Sequence, residues 1–346
     1  MESILYVGTD HGVATARSQD GRSWEVASRG LEEWGVPEVA LIPGAPNQVL
    51  AGTRGDGVWF SEDFGKSWRK PNRGRHGPGK VRCLTIAPDN PRRVYAGCEP
   101  IDVFVSEDLG ANWARLHSVW DDPFISTIPY PGIVVEPHVR DITIDPTHPD
   151  TIYAALQVGF MLKSTDGGET WRLLNKGFDC DVHTIVLDPS QPQRVLIATG
   201  GGDSRSGRAP GKALYLSEDG GEGWVPLAMN FEQTYSVPLA VDPQAPDTIY
   251  SAVATGPRGS RLRDPSAYKS VTIRSQDGGK SWMPLDLGPQ TSEDFPVAIA
   301  VDDERPGRVY MGLQGGSFYC TEDSGDTWDQ LDLKLDGVAN VKLVHA

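Results

Sequence analysis

Ser61-Glu62-Asp63-Phe64-Gly65-Lys66-Ser67-Trp68 is one copy of a phrase that returns seven times along this chain. Ser or Thr leads, Asp follows two residues later, Gly two after that, and Trp closes the box. The closing residues are Trp24, Trp68, Trp113, Trp171, Trp224, Trp282 and Trp328, so a unit of 44 to 58 residues recurs through the 346. The first copy, Ser18 to Trp24, is one residue short. A period of this size marks a repeat architecture in which each unit buries its faces against its neighbours. β-like runs flank each box, as with Val58-Trp59-Phe60 and Trp68-Arg69, so the box is a hairpin turn. In such a turn Ser and Asp side chains satisfy backbone N–H groups and Gly supplies left-handed backbone, while Trp supplies an apolar plate between sheets. The boxes are read as folding devices, not as catalytic groups.

A second phrase lies upstream of the boxes. Val139-Arg140-Asp141-Ile142-Thr143-Ile144-Asp145-Pro146 leads through a tight turn into Thr151-Ile152-Tyr153-Ala154-Ala155. Val81 to Pro88 and Val182 to Pro189 repeat it. One unit is therefore strand A, turn, strand B, loop, strand C, box, strand D. The chain opens on a B-like run, Ser3 to Gly8, and closes on an A-like run, Val338 to Val344. Pairing the two completes a first blade and removes the open edges that an unclosed ring would leave. The expectation is an all-β chain, a seven-bladed β-propeller of four-stranded blades forming one domain over residues 1–346.

Composition excludes several classes. A net charge of −15 argues against nucleic-acid binding. No apolar run reaches membrane-spanning length, and the first residues lack a basic, then apolar, secretory pattern. Cys83, Cys98, Cys180 and Cys320 lie in different repeats without metal-ligand spacing, which fits free thiols in a reducing compartment. These features imply a cytoplasmic monomer with no cofactor, no metal, no nucleic-acid partner and no membrane contact.

The repeats differ in their connections. Extra length falls at Leu116 to His138 between strands D and A, and at Gly200 to Lys212 and Thr255 to Ser270 between strands B and C. In a propeller all three belong to one face, and long loops on a rigid scaffold are where binding sites gather. The two B-to-C insertions carry net charges of +2 and +3 on an acidic chain, which would steer an anion toward that mouth. Aligned by the Asp-Pro turn, the strand A starts present Ala339, Pro37, Arg82, Arg140, His183, Val237 and Val297. The next position gives Asn340, Glu38, Cys83, Asp141, Thr184, Pro238 and Ala298. Two residues before the first set stand Lys80, His138, Asp181, Tyr235 and Phe295. Arg82 and Arg140, with His138, Glu38 and Tyr235, are the candidate ligand-binding residues, since paired guanidinium donors hold carboxylates or phosphates. His183 with Asp181 or Asp141 is the candidate catalytic set, because His titrates near neutral pH. The competing reading is a ring of ion pairs across the channel, Arg82 and Arg140 with Asp141 and Glu38.

The boxes resemble the Asp-box, or bacterial-neuraminidase repeat, and six of the seven keep that spacing. The resemblance covers the whole chain. It implies kinship with sialidases, xyloglucan-active glycoside hydrolases, sortilin-type receptor propellers and a photosystem II assembly factor. A sialidase would add an Arg-Ile-Pro phrase, a third arginine and a Tyr–Glu nucleophile pair; this chain lacks the phrase and the third strand A arginine. Two classes of function follow. One is a site that binds, or binds and hydrolyses in glycosyl-hydrolase fashion, a small anionic or carbohydrate-like ligand at the channel mouth. The other is a scaffold gripping a protein partner on the same face, through an exposed apolar patch within residues 116–138 that includes Trp120, Phe124, Ile125 and Ile128.

Overall fold

The computed structural model describes residues 1–72, 76–128, 136–201, 211–257, 268–288 and 294–346. Seven antiparallel sheets stand around a central channel, each led by its strand A. Blade 1 is composite: Val338–His345 is its strand A and pairs with Ser3–Thr9, so that Leu5 faces Leu343 and Gly8 faces Asn340. Two further backbone bonds, Glu2 N–H to Ala346 O at 3.0 Å and the reverse at 2.9 Å, lock the last rung. The expected closure is thus present. Six sheets have four strands, and blade 2 departs from the expectation. It has three, Glu38–Leu41, Val49–Thr53 and Gly57–Ser61, and its outer strand is reduced to Arg69 exchanging two hydrogen bonds with Phe60.

The boxes close as their chemistry dictates. Ser164 Oγ donates to Asp166 Oδ1 at 2.7 Å and accepts the Gly168 N–H at 2.9 Å; Asp166 Oδ1 in turn accepts the Thr170 N–H at 2.9 Å. The residue before the box glycine needs left-handed backbone. It is Gly167 in blade 4, but Phe64, Leu109 and Ser324 hold φ near 60° in blades 2, 3 and 7. Strand B supplies the link to the next box. Tyr95, Tyr153, Tyr250 and Tyr310 each donate a hydroxyl to a backbone carbonyl of the following blade's box, Gly167, Gly220, Ser324 and Gly21, at 3.0 to 3.2 Å. Each tyrosine is nearly fully buried, so one side chain fills the inter-blade core and satisfies a polar group at its rim.

Strand A carries the feature that shapes the channel. A β-bulge interrupts its pairing with strand B at the same level in nearly every blade: between Val81 and Cys83, Val139 and Asp141, Val182 and Thr184, Pro296 and Ala298. Blade 1 has its own irregularity around Ala339. A bulge sets two residues of one strand against one of its partner and re-aims their side chains. Consecutive residues such as Arg140 and Asp141 therefore both line the channel, where regular pleating would alternate them between faces. Below them, Thr143 Oγ1 donates to Ile185 O at 2.9 Å and Thr184 Oγ1 to Val237 O at 2.7 Å, stitching one strand A to the next.

Of the long connection, residues 116–128 pack between blades 3 and 4. Val119, Ile125 and Ile128 are buried there against Ile101, Val103 and Leu156. The described part of the expected exposed patch is thus a plug, with Trp120 left 40% exposed. Residues 129–135 lie outside the described residues. So do 202–210 and 258–267, which hold most of the basic charge expected above the mouth. All four cysteines are buried. No helix among the described residues is long and apolar enough to cross a membrane.

Candidate functional site

The channel encloses a cavity of about 1000 Å³. All five candidate binding residues, Arg82, Arg140, His138, Glu38 and Tyr235, line it, as do His183 and Asp141. Pro257 and Gln314, from strand B-to-C connections, stand at the same rim. Aliphatic residues such as Ile86, Ile144 and Ile299 line it further along strand A, away from the bulged positions.

The two arginines differ. Arg82 is neutralised within its own blade: its Nε and Nη2 both donate to Glu99 Oε2, the former at 2.7 Å, and Lys80 stands 3.6 Å from the other oxygen. Arg140 has only Gln157 Oε1, at 3.3 Å, and no carboxylate within ion-pair distance among the described residues. Its remaining N–H donors are available to the channel. The expected pairing of Arg82 and Arg140 with Asp141 and Glu38 is not what forms. Glu38 pairs with Lys342 at 3.0 Å, and Asp141 Oδ2 accepts the Ile185 N–H at 2.8 Å. Burial pushes the Asp141 carboxyl up to about 7, against that hydrogen bond, with Glu38 adding to the rise. Burial likewise raises Glu38, opposed by Lys342, while Glu38 raises Lys342. The Lys342 side chain is 42% exposed, so this pair is partly screened.

The two imidazoles also differ. His183 is almost wholly enclosed: Nδ1–H donates to Ser236 O at 2.6 Å and Nε2 faces Asp181 Oδ2 at 3.2 Å. Although burial opposes it, His183 and then Arg140 hold the Asp181 carboxyl down at about 2. This candidate catalytic pair has its polar atoms turned on each other and on the backbone. His138 donates its Nδ1–H to Glu136 O at 2.9 Å, which leaves Nε2 with a lone pair. Burial, and the charges of Arg82 and Arg140, push this imidazole down to about 3, so it stands neutral. An aromatic wall completes the mouth: Tyr235 meets His183 edge-on at 5.0 Å and Phe295 at 6.0 Å between ring centroids.

Three residues of the site, Glu99, Gln157 and Lys342, stand outside the aligned strand A starts. Glu99 lies directly across the A–B hairpin from Lys80, so counting the register outward from the turn would have found it. Lys342 lies three residues beyond Ala339 on the same strand A.

No protein-family profile matches the chain. It is similar to the oligoxyloglucan-reducing end-specific xyloglucanase of Emericella nidulans, 25% identical over 208 residues, which are 56% of this chain and 24% of that enzyme. The matched stretch thus spans about a quarter of that relative. In structure it resembles the GH74 xyloglucanase of Xanthomonas campestris, with a TM-score of 0.69 and 18% identity, over 98% of this chain and 52% of that one. It also resembles YCF48 bound to D1 peptide, with a TM-score of 0.56 and 17% identity, over 89% of this chain and 85% of that one. The propeller is the common ground. Xyloglucanase-like relatives and a seven-bladed ring are what these likenesses establish.

Proposed function

We propose that the mouth of the channel binds a small, acidic, sugar-like ligand. The observation that carries this reading is Arg140, a cavity-lining guanidinium with no carboxylate within ion-pair distance among the described residues. A ligand carboxylate or phosphate supplies the missing partner by paired N–H donors. Tyr235 and Phe295 offer ring faces and edges for the apolar side of a pyranose. The carbohydrate-active relatives support a sugar framework. Asp141, half-protonated near neutrality, is the group placed to give a proton to a ligand oxygen, which makes it the acid of any hydrolysis here.

Calorimetry with glucuronate and glucose tests this. Glucuronate is expected to bind the wild type and glucose to bind far less well. Arg140→Ala should weaken glucuronate by at least about tenfold while its melting temperature barely moves. Absence of binding by glucuronate and by phosphate, or an unchanged affinity in Arg140→Ala, overturns the reading. The YCF48 likeness favours a second reading, a grip on a peptide segment at this same mouth. An acidic peptide that binds and is not displaced by glucuronate would select it.

A further inference from the structure

His138 has a ring lone pair that meets no donor among the described residues. It is 3% exposed and lines the cavity, and its one contact among the described residues is the Nδ1–H donated to Glu136 O. That bond fixes the tautomer, so Nε2 is an acceptor whose charged neighbours are Arg82 and Arg140, which only donate, and Asp181, whose carboxylate is held by His183. An acceptor on the cavity wall that a ligand cuts off from solvent without offering a hydrogen costs free energy, so Nε2 disfavours any group that cannot supply one. A bare carboxylate or phosphate oxygen is such a group. An anion seated on Arg140 therefore meets, beside its binding site, an atom that repels oxygen lone pairs and favours a hydroxyl.

We infer that His138 is a specificity-determining residue whose Nε2 accepts a hydrogen bond from a ligand hydroxyl adjacent to the acidic group bound by Arg140. The ligand class is then a hydroxylated acid, a sugar acid or another polyhydroxy carboxylate, in preference to an unsubstituted carboxylate. This rests on the reading of the mouth as an anion site. The neutral state of the ring supports it, because a protonated His138 would offer a second donor and lose the discrimination. His183 cannot play this part, since both its nitrogens are committed to Ser236 and Asp181. Selectivity is thus assigned to one imidazole of the two.

The test compares glucuronate with cyclohexanecarboxylate, a carboxylate on a six-membered ring without hydroxyls. Wild type should bind glucuronate roughly tenfold more tightly, the factor that one buried hydrogen bond and the penalty for leaving its acceptor empty provide. His138→Phe should bring the two affinities close to parity while cyclohexanecarboxylate still binds, and His138→Gln should restore part of the preference. Arg140→Ala should lose both ligands. Nitrogen NMR of the wild type gives a readout that needs no variant: the bare Nε2 resonance of His138 should shift with glucuronate and stay still with cyclohexanecarboxylate. If both acids bind the wild type equally, or the Nε2 resonance ignores glucuronate, the inference about His138 is wrong and the anion site stands. If neither acid binds, the anion site itself is wrong.

Discussion

Asp141→Asn should flatten the pH dependence of stability. In the unfolded chain this carboxyl titrates near 3.8, and in the ring burial raises it to about 7. Each pH unit between those two values is worth about 1.4 kcal/mol, so the wild type gives up about 4 kcal/mol as pH climbs across the whole interval. The sign follows from the direction. A raised carboxyl stabilises most below pH 3.8, where both states carry the proton, and that stability is lost as pH rises through about 7. Between pH 5 and pH 8 the loss is roughly 2–3 kcal/mol, at the lower end if channel water screens the charge. In a chain of this size that is roughly 3–4 °C of melting temperature. Asn keeps the shape, and its amide oxygen still accepts the Ile185 N–H, so the variant loses only the titration. Glu38 and Lys342 remain in both proteins, and their own pH dependence cancels in the comparison apart from the coupling to Asp141. Melting curves of the two proteins at half-unit pH steps give the answer. The variant should match the wild type only below about pH 3.8, and its advantage should widen by a few degrees between pH 5 and pH 8. Parallel curves across the range would refute the raised carboxyl and, with it, the role of Asp141 as a proton donor at neutral pH.

Two further outcomes are expected. Glu99→Gln removes the carboxylate that neutralises Arg82 and Lys80, so it should tighten glucuronate several-fold by calorimetry while lowering the melting temperature; unchanged affinity would mean that Arg82 does not reach the ligand. Tyr153→Phe and Tyr250→Phe each remove one hydroxyl bond to the next blade's box and should each cost about 1 kcal/mol in denaturant unfolding, with glucuronate affinity untouched.

The fold is readable because its determinants repeat. Seven boxes with Trp at one end, and an A-like run with no blade of its own, specify ring and closure from local chemistry. Blade 2 departs where that chemistry thins, since the stretch after Trp68 turns away after one pair at Arg69. The site is half legible. Aligning strand A starts brings Arg82, Arg140, His183 and Asp141 to one cavity, because position along a repeated strand fixes height in the channel. Partners are not legible, since ion pairs form with whatever lies across a hairpin or an adjacent blade. Glu99 takes Arg82 and Lys342 takes Glu38, and neither pairing follows from strand A alone. Cys83 shows the other limit: its alignment puts it at the channel, yet it turns aside toward Val139 O and is buried.

The bulges at the head of strand A separate what the ring recognises from what holds it together. Arg82, Arg140, His183 and Val297 each occupy the extra residue of a bulge, outside the regular ladder, while the inter-blade core lies on the strands that follow. Exchanging a ladder residue alters packing on two blades. Exchanging a bulge residue such as Arg140 changes a side chain that lines the channel and leaves the ladder intact. A lineage, or an experimenter, can therefore redraw the lining of this channel one blade at a time, and the scaffold tolerates the drift because its stability is invested elsewhere.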